Sequence, residues 1–497
     1  MATQMARTAF IRIDPRANGT LQTQIYAALR GAILNGELTP GARLLSSRAI
    51  AADLGVSRTT TLLAFEQLTA EGYLTARRGS GTYVARELPD DLPRIRAPHV
   101  VTRHEHPPVS RRGTALQAIP PAARRCGVGA PRAFRIGVPA LDLFPIRLWT
   151  QLVNRRLRSV TVAQLDYSDF AGYLPLRQAI AEHVRVSRGT RCDADQVIIV
   201  AGAQRGLELS CQVLLDPGDE AWMEDPGYPG TRSALANAGA RILTAPVDDQ
   251  GLKVDVVARH GGQARVVFVT PSHQFPTGVA MSLPRRLALL RWASAARAWV
   301  IEDDYDSEFR YATRPVPCLH GLDVDGRVIY VGSFSKTLFP ALRLGFVILP
   351  ADLRDTVMAA RRAADIHPPA IDQAVLADLI AEGHFDRHLR RMRAVYRERL
   401  EALTAAAEQY CGGVLQLRPV RTGMHVIADL RGASADTVFE EAAARGVEVM
   451  PLSFYFMRPV ASANALMMGF ASVRPDGLVT GMQRLAAAIE AAQRRTA

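Results

Sequence analysis

Residues 327–338 read RVIYVGSFSKTL. The run from Val328 to Val331 is short, apolar and partly β-branched, and a Gly-Ser turn closes it. That is the pattern of a buried strand ending in a loop. Lys336 stands in the loop, and its identity is unusual. Of 60 Lys plus Arg in 497 residues, only Lys253 and Lys336 are lysine. A chain that uses arginine for positive charge has kept an ammonium here. Arginine stays protonated and forms no Schiff base, whereas lysine can lose its proton and condense with an aldehyde.

Similar stretches lie on either side. VIIVAGAQRGLEL (197–209) reads as a strand, a Gly turn and a helix. EAWMEDPGYPG (220–230), ARVVFVTPSHQFPTG (264–278) and RAWVIEDDYDSEF (297–309) read as buried strands running into polar loops, and GFVIL (345–349) as another strand. Helical stretches such as 283–297 lie between them. The alternation predicts an α/β domain with its chemistry at the C-terminal ends of strands. Pyridoxal 5′-phosphate (PLP) needs more than a lysine, and each need has a candidate. The turn at 202–204 opening a helix, Ser333, Ser335 and Arg343 offer donors for a phosphate. EDDY (302–305) supplies a carboxylate for the pyridine nitrogen and Tyr305 a donor for the ring oxygen. Tyr228 supplies an aromatic for the ring face. A lone SxSK would read as a solvated surface lysine; the ordered set argues otherwise.

The rest of the chain sets bounds. Its length implies two or three domains. Hydrophobic content of 48% and charged content of 22% are ordinary for a globular protein. No apolar run approaches a membrane span, and the N-terminus has no apolar core of a secretory signal. The five cysteines are scattered without CxxC spacing, as expected of free thiols in a reducing cytoplasm, and nothing calls for a metal. The net charge of +12 suggests a polyanionic partner. Residues 87–130 hold seven prolines and little apolar periodicity, which reads as a linker. It separates residues 10–86 from residues 131–497.

The smaller piece shows three helical patterns. The first spans 21–34, with Ile25, Leu29 and Ile33 on one face. After GELTPG, Ser46 and Ser47 can cap a second helix over 48–54, which Gly55 stops. Ser57 is a plausible cap for a third helix, 58–71. EGYLTARRGSGTYV (71–84) then reads as a β-hairpin with a turn at 79–81. The whole is a winged helix-turn-helix. A helix of about 13 residues is about 20 Å long and fits a DNA major groove. Its first turn offers Ser57, Arg58, Thr59 and Thr60, a set suited to phosphates and base edges. Arg77 and Arg78 suit the wing. Ten arginines against five acids in residues 1–86 fit a DNA-facing module better than a protein-interaction module with solvated arginines.

Residues 21–84, LQTQIY to GTYV, resemble the GntR-type winged helix. The resemblance implies DNA contacts at Arg48, Ser57, Arg58, Thr59, Thr60, Arg78 and Gly79. The chain departs from it at Leu45, where proline is usual, and at Leu62, where some relatives carry a DNA-contacting arginine. In residues 131–497, the ordered motifs AGAQ, EDPGY, PTG, EDDYDSEF, SFSK and LRLG resemble fold-type I aminotransferases, with large and small subdomains. A head and body so joined resemble MocR-type transcriptional regulators. The resemblance implies Lys336 as the Schiff-base lysine, Asp303 at the pyridine nitrogen, Tyr305 at the ring oxygen and Tyr228 stacked on the ring. It puts Ala203, Gln204, Ser333 and Arg343 at the phosphate. Tyr167 matches a tyrosine that reaches the neighbouring subunit's phosphate, implying a homodimer; a core aromatic is the other reading of that residue.

Two departures concern the ring and the substrate. Phe275 stands where asparagine usually precedes the PxG turn, with His273 and Gln274 beside it. The aminotransferases' carboxylate-binding RxxxG arginine is replaced by ALMMG at 465–469, and Arg458 and Arg474 lie at the wrong spacing. The expectation is a cytoplasmic, DNA-binding regulator that senses PLP or a PLP-reactive amine or amino acid. The alternatives are a working aminotransferase with a DNA-binding head and a PLP-free scaffold.

Overall fold

The computed structural model describes residues 11, 13–14, 19–77, 79–89, 109–117, 119, 129–260, 263–311, 317–458, 460 and 463–496. The chain divides into two compact units, Met1–Pro108 and Val109–Ala497.

In the first unit α1 (Leu21–Leu34), α2 (Ser47–Asp53) and α3 (Arg58–Ala70) precede the antiparallel strands β1 (Leu74–Arg77) and β2 (Gly81–Val84). The caps set the helix starts. Ser46 Oγ accepts from Ala49 N at 3.1 Å and Ser57 Oγ from Thr60 N at 3.1 Å, satisfying amides that have no partner inside the helix. α2 therefore begins one residue earlier than the periodicity suggests, with Ser46 as its cap. Ile25, Leu29 and Ile33 of α1 meet Ala64 and Leu68 of α3 in one buried cluster. The hairpin gains an extra edge that sequence reading missed. Gly41 N donates to Val84 O at 3.0 Å and Leu44 N to Thr82 O at 2.9 Å.

The second unit carries an eight-stranded sheet. Its strands are β3 (Val197–Val200), β4 (Glu220–Asp225), β5 (Arg241–Asp248), β6 (Gly251–Leu252), β7 (Val266–Val269), β8 (Trp299–Asp304), β9 (Val328–Ser333) and β10 (Gly345–Ile348). Their order is β3-β10-β9-β8-β7-β4-β5-β6. β5, β4, β7, β8 and β9 run parallel, and β10 is antiparallel to both neighbours. β3, β7 and β10 are buried at every position. That is why they read as unbroken apolar runs: helices cover both faces, and each buried Val or Ile contributes roughly 1.5–3 kcal/mol.

A smaller antiparallel sheet follows, ordered β11 (Leu415–Leu417), β12 (His425–Leu430), β14 (Ala465–Gly469), β13 (Met450–Pro451). The helix Pro475–Thr496 packs against the 28-residue helix His384–Cys411 beside it. Gly469 of β14 is a point of close approach. A Cβ there would lie 2.2 Å from Arg135 O. The bare backbone lets residues 134–137 lie against β14, with Gly469 N donating to Phe134 O at 2.9 Å.

Within the stretch read as a linker, Arg111–Gln117 form a short helix that packs against the helix Pro229–Ala238 of the same unit. Ser110 Oγ accepts from Gly113 N at 3.1 Å and caps it. The prolines of 87–130 lie outside this helix, and their count conceals it. Among the described residues no helix is long and apolar enough to cross a membrane.

Candidate functional site

The C-terminal ends of β3, β4, β7, β8 and β9 converge, as the topology of an open α/β sheet requires for ligand binding. After β9 the chain turns and presents Lys336, whose Nζ donates to Gly137 O at 2.7 Å. Gly137 arrives on the segment that Gly469 admits against β14. Sequence reading missed it because the two residues are 199 positions apart.

The three acids ending β8 have three different fates. Glu302 accepts from Leu319 N at 3.0 Å and His320 N at 2.9 Å, so it braces a loop. Asp304 Oδ2 accepts from Arg188 Nε and Tyr330 OH, both at 2.6 Å. Burial alone would raise the Asp304 carboxyl, but Arg188 and these hydrogen bonds hold it down at about 2. Asp303 is left: it is buried, and its Oδ1 has no hydrogen-bond partner. Burial, then the Asp304 and Glu224 carboxylates, push it up to about 7, against the pull of Lys336. A buried, unsatisfied carboxylate is costly unless a cation meets it. Glu224 nearby is pushed up to about 7 by burial although Thr270 and Gln274 donate to it.

Tyr305 lies one residue past β8. Its hydroxyl sits 3.0 Å from His273 Nδ1, which is 2.7 Å from Asp306 Oδ1. His425 completes this buried group, its ring 4.8 Å from that of His273 and its Nε2 donating to Pro276 O at 3.0 Å. Donor atoms of His273, Asp306 and His425 all lie within 4.8 Å of one another. Burial, then His273, hold His425 far below the usual imidazole range, so its ring is neutral. The sequence marked His273 as near the PxG turn and placed Asp306 within EDDYDSEF without a role, but gave no sign of His425. Phe275 packs edge-on at 5.5 Å from Tyr228, 5.8 Å from Tyr305 and 5.9 Å from His425. Where asparagine was expected, the structure has an aromatic hub.

On the opposite side, the turn at Gly202 opens the helix Ala203–Leu214. Gly202 has φ +85°, and a Cβ there would sit 3.0–3.1 Å from the Arg343 guanidinium. Arg343 donates to Ala201 O at 2.9 Å. Gln204 Nε2 donates to Gly230 O at 3.0 Å, beside the Tyr228 ring. Ser333 Oγ accepts from Ser335 N at 3.2 Å. Helix amides, a guanidinium and hydroxyls at one sheet edge form an anion cradle. Burial, then Asp303, raise the Tyr228 phenol to about 12, so it stays protonated.

One reading changes, and one departure is seen in place. Tyr167 is 76% exposed and meets His367 edge-on at 6.4 Å, which overturns the reading of it as a core aromatic. Arg474 binds Asp142 at 3.4 Å and Arg458 lies exposed beside Asp225. The stretch 465–469 is wholly buried, with Met467 in an apolar cluster, so no cation enters the fold there.

In the first unit, Arg48, Ser57, Arg58 and Thr59 are exposed and Thr60 is half-buried, bonded to Ser57 Oγ at 2.7 Å. Gly79 has φ +77° in a turn that Ser80 N closes onto Arg77 O at 2.9 Å. Arg78 lies outside the described residues. Leu45 is half-buried on the core and Leu62 is 40% exposed. Arg43, which sequence reading passed over, lies with its guanidinium against Gly81 on the wing.

Together these features define a winged-helix head and a body of the PLP-dependent aminotransferase class. Residues 21–84 match the family model for bacterial regulatory proteins of the gntR family, and residues 140–464 that for aminotransferase class I and II. The chain is 39% identical over 477 residues to the probable rhizopine catabolism regulatory protein MocR of Rhizobium meliloti, covering 96% of this chain and 95% of that one. It is 36% identical over 484 residues to the HTH-type transcriptional regulator TauR of Rhodobacter capsulatus, covering 96% and 98%. The body superposes on the α-aminoadipate aminotransferase LysN of Thermus thermophilus, complexed with N-(5′-phosphopyridoxyl)-L-leucine. The TM-score is 0.67 at 31% identity, over 73% of this chain and 92% of that one. The chain belongs to the MocR-type family of GntR-headed, aminotransferase-bodied transcriptional regulators. Its cofactor is PLP. The open Asp303 oxygen and the Gly202–Arg343 cradle fit the two ends of that molecule.

Proposed function

We propose that this regulator binds operator DNA through its winged helix and uses the aminotransferase-like body to sense PLP, or an amine or amino acid that reacts with PLP. The observation that carries the reading is the set of groups around Lys336. An open buried carboxylate (Asp303), a phenol (Tyr305), an aromatic face (Tyr228) and an anion cradle (Ala203, Gln204, Ser333, Ser335, Arg343) meet at the sheet edge where the lysine stands. Bound there, PLP supplies an aldehyde for an amine and an electron-withdrawing ring. Lys336 would supply the amine that holds its aldehyde carbon, Asp303 would face the ring nitrogen, and Tyr305 would donate to the ring oxygen.

Arg48, residues 57–60, Arg78 and Gly79 read DNA in this assignment. The body acts as a homodimer. Ile146, Val162, Leu165 and Tyr167 are 60%, 85%, 68% and 76% exposed in the single chain, an apolar run that a second copy would bury. In such a dimer Tyr167 would reach toward the phosphate cradle of the second copy. The protein works in the cytoplasm, where DNA and reduced thiols are found. A second reading, a turning-over aminotransferase with a fused head, is favoured by Lys336 and the likeness to LysN.

The test pairs an absorption titration with a gel shift. The native protein with PLP is expected to show a visible band that Lys336→Ala lacks, and PLP or an amine is expected to change operator affinity only in the native protein. Identical DNA binding by both proteins under every ligand condition would sink the sensing role. Rapid multi-turnover transamination would favour the enzyme.

A further inference from the structure

The wall beside Lys336 shows which molecules the site accepts. Lys336 Nζ rests on Gly137 O at 2.7 Å. The preceding residue, Ile136, packs into a buried apolar cluster with Ile427, Leu452, Tyr455, Ala465 and Met467. Phe275 joins that cluster, 5.1 Å from Tyr455, and carries it round to Tyr305. Met467 is 0% exposed. Besides Lys336, Tyr305 and the two histidines, two acids lie near this wall. Asp225 is half-buried, with its Oδ1 accepting from Met457 N at 3.0 Å, and Asp306 is buried behind His273. Arg135 pairs with Glu448 at 3.4 Å and Arg474 with Asp142 at 3.4 Å, while Arg458 is exposed near Asp225.

A carboxylate placed against this wall would lose its water, find no guanidinium on β14 and lie near Asp225 and Asp306. An amine with an uncharged, apolar body loses nothing of the kind, and its cationic nitrogen suits the acidic surroundings. We infer that the ligand sensed at this site is a carboxylate-free primary amine with an apolar body, not an α-amino acid. The inference rests on the reading that Lys336 holds PLP. That reading is tested separately by the visible band.

The experiment is calorimetric titration of the full-length, PLP-loaded protein with two matched pairs: 2-phenylethylamine against L-phenylalanine, and n-butylamine against L-norvaline. A missing charged hydrogen-bond partner corresponds to roughly 10- to 150-fold in affinity, so each amine is expected to bind at least about tenfold tighter than its amino acid. Equal or tighter binding of the amino acids overturns the inference. So does the binding of no compound by a protein that shows the visible band, although that result leaves the cofactor reading intact. A protein without the band overturns both. Met467→Arg is the gain-of-function arm. If its circular dichroism matches the parent, L-phenylalanine is expected to approach the amine in affinity; a folded variant that still discriminates as before overturns the account of the wall on which the inference stands. If the variant does not fold, the matched pairs on the native protein decide alone.

Discussion

Replacing Asp303 with asparagine is expected to push the protein in opposite directions with and without PLP. In the cofactor-free chain the Asp303 carboxyl is raised from 3.8 to about 7 by burial and by its acidic neighbours. The fold therefore resists its ionised form. That penalty is absent below pH 3.8, grows as the pH climbs to about 7, and is constant above. The interval corresponds to roughly 4 kcal/mol at about 1.4 kcal/mol per pH unit. Asparagine fills the same space without the charge, but its amide is also buried, so a gain of about 2–4 kcal/mol at pH 8 is expected. With PLP bound the sign reverses. The carboxylate then faces a protonated ring nitrogen, and losing that charged hydrogen bond weakens PLP by about 1.5–3 kcal/mol, or roughly 10- to 150-fold. The assays are urea unfolding of the PLP-free full chain at pH 5 and pH 8, and PLP titration followed by absorbance. An Asp303→Asn variant that binds PLP as tightly as the parent, or whose PLP-free form unfolds at lower urea than the parent at pH 8, refutes this account of Asp303.

Arg58→Ala, at the exposed first turn of α3, should weaken operator binding by about 1–3 kcal/mol and leave PLP binding unchanged; a gel shift and an absorbance titration check both. Arg188→Leu strands Asp304 and Glu308, which it holds at 2.6 Å each, and should cost about 3–5 kcal/mol in urea unfolding at pH 7. The Asp304 part of that stability is present above its ordinary 3.8 and fades as the pH falls through about 2, so the parent and variant should converge in acid. Gly202→Ala forces a side chain onto a φ of +85° and against the Arg343 guanidinium. A loss of about 1–3 kcal/mol in stability is expected, with weaker binding of PLP and of inorganic phosphate by calorimetry.

The winged helix was almost wholly legible because each of its elements is announced locally. Ser46 and Ser57 cap, Gly55 and Gly79 turn, and Ile25, Leu29 and Ile33 recur at helical spacing. The extra edge at residues 41–44 was missed because its bonds to β2 reach a partner about 40 positions away. In the body the buried strands were visible as apolar runs, while the residues supporting Lys336 and Tyr305 were not. Gly137 and His425 sit in unremarkable local sequence, Asp306 carries no assigned role within EDDYDSEF, and all three matter through their partners.

The sequence by itself determined the two-part organisation, the α/β alternation and the choice of lysine at 336, because propensity, capping and amine chemistry act within a few residues. The tertiary structure decided which acid of EDD stays open. Glu302 is taken by a loop and one oxygen of Asp304 by Arg188, 116 residues away, which leaves Asp303 without a cationic partner of that kind. It also decided that Tyr167 faces solvent and that the wall beside Lys336 is apolar. Burial and charge compensation are sums over neighbours that the fold brings together from distant parts of the chain, and no local pattern encodes them.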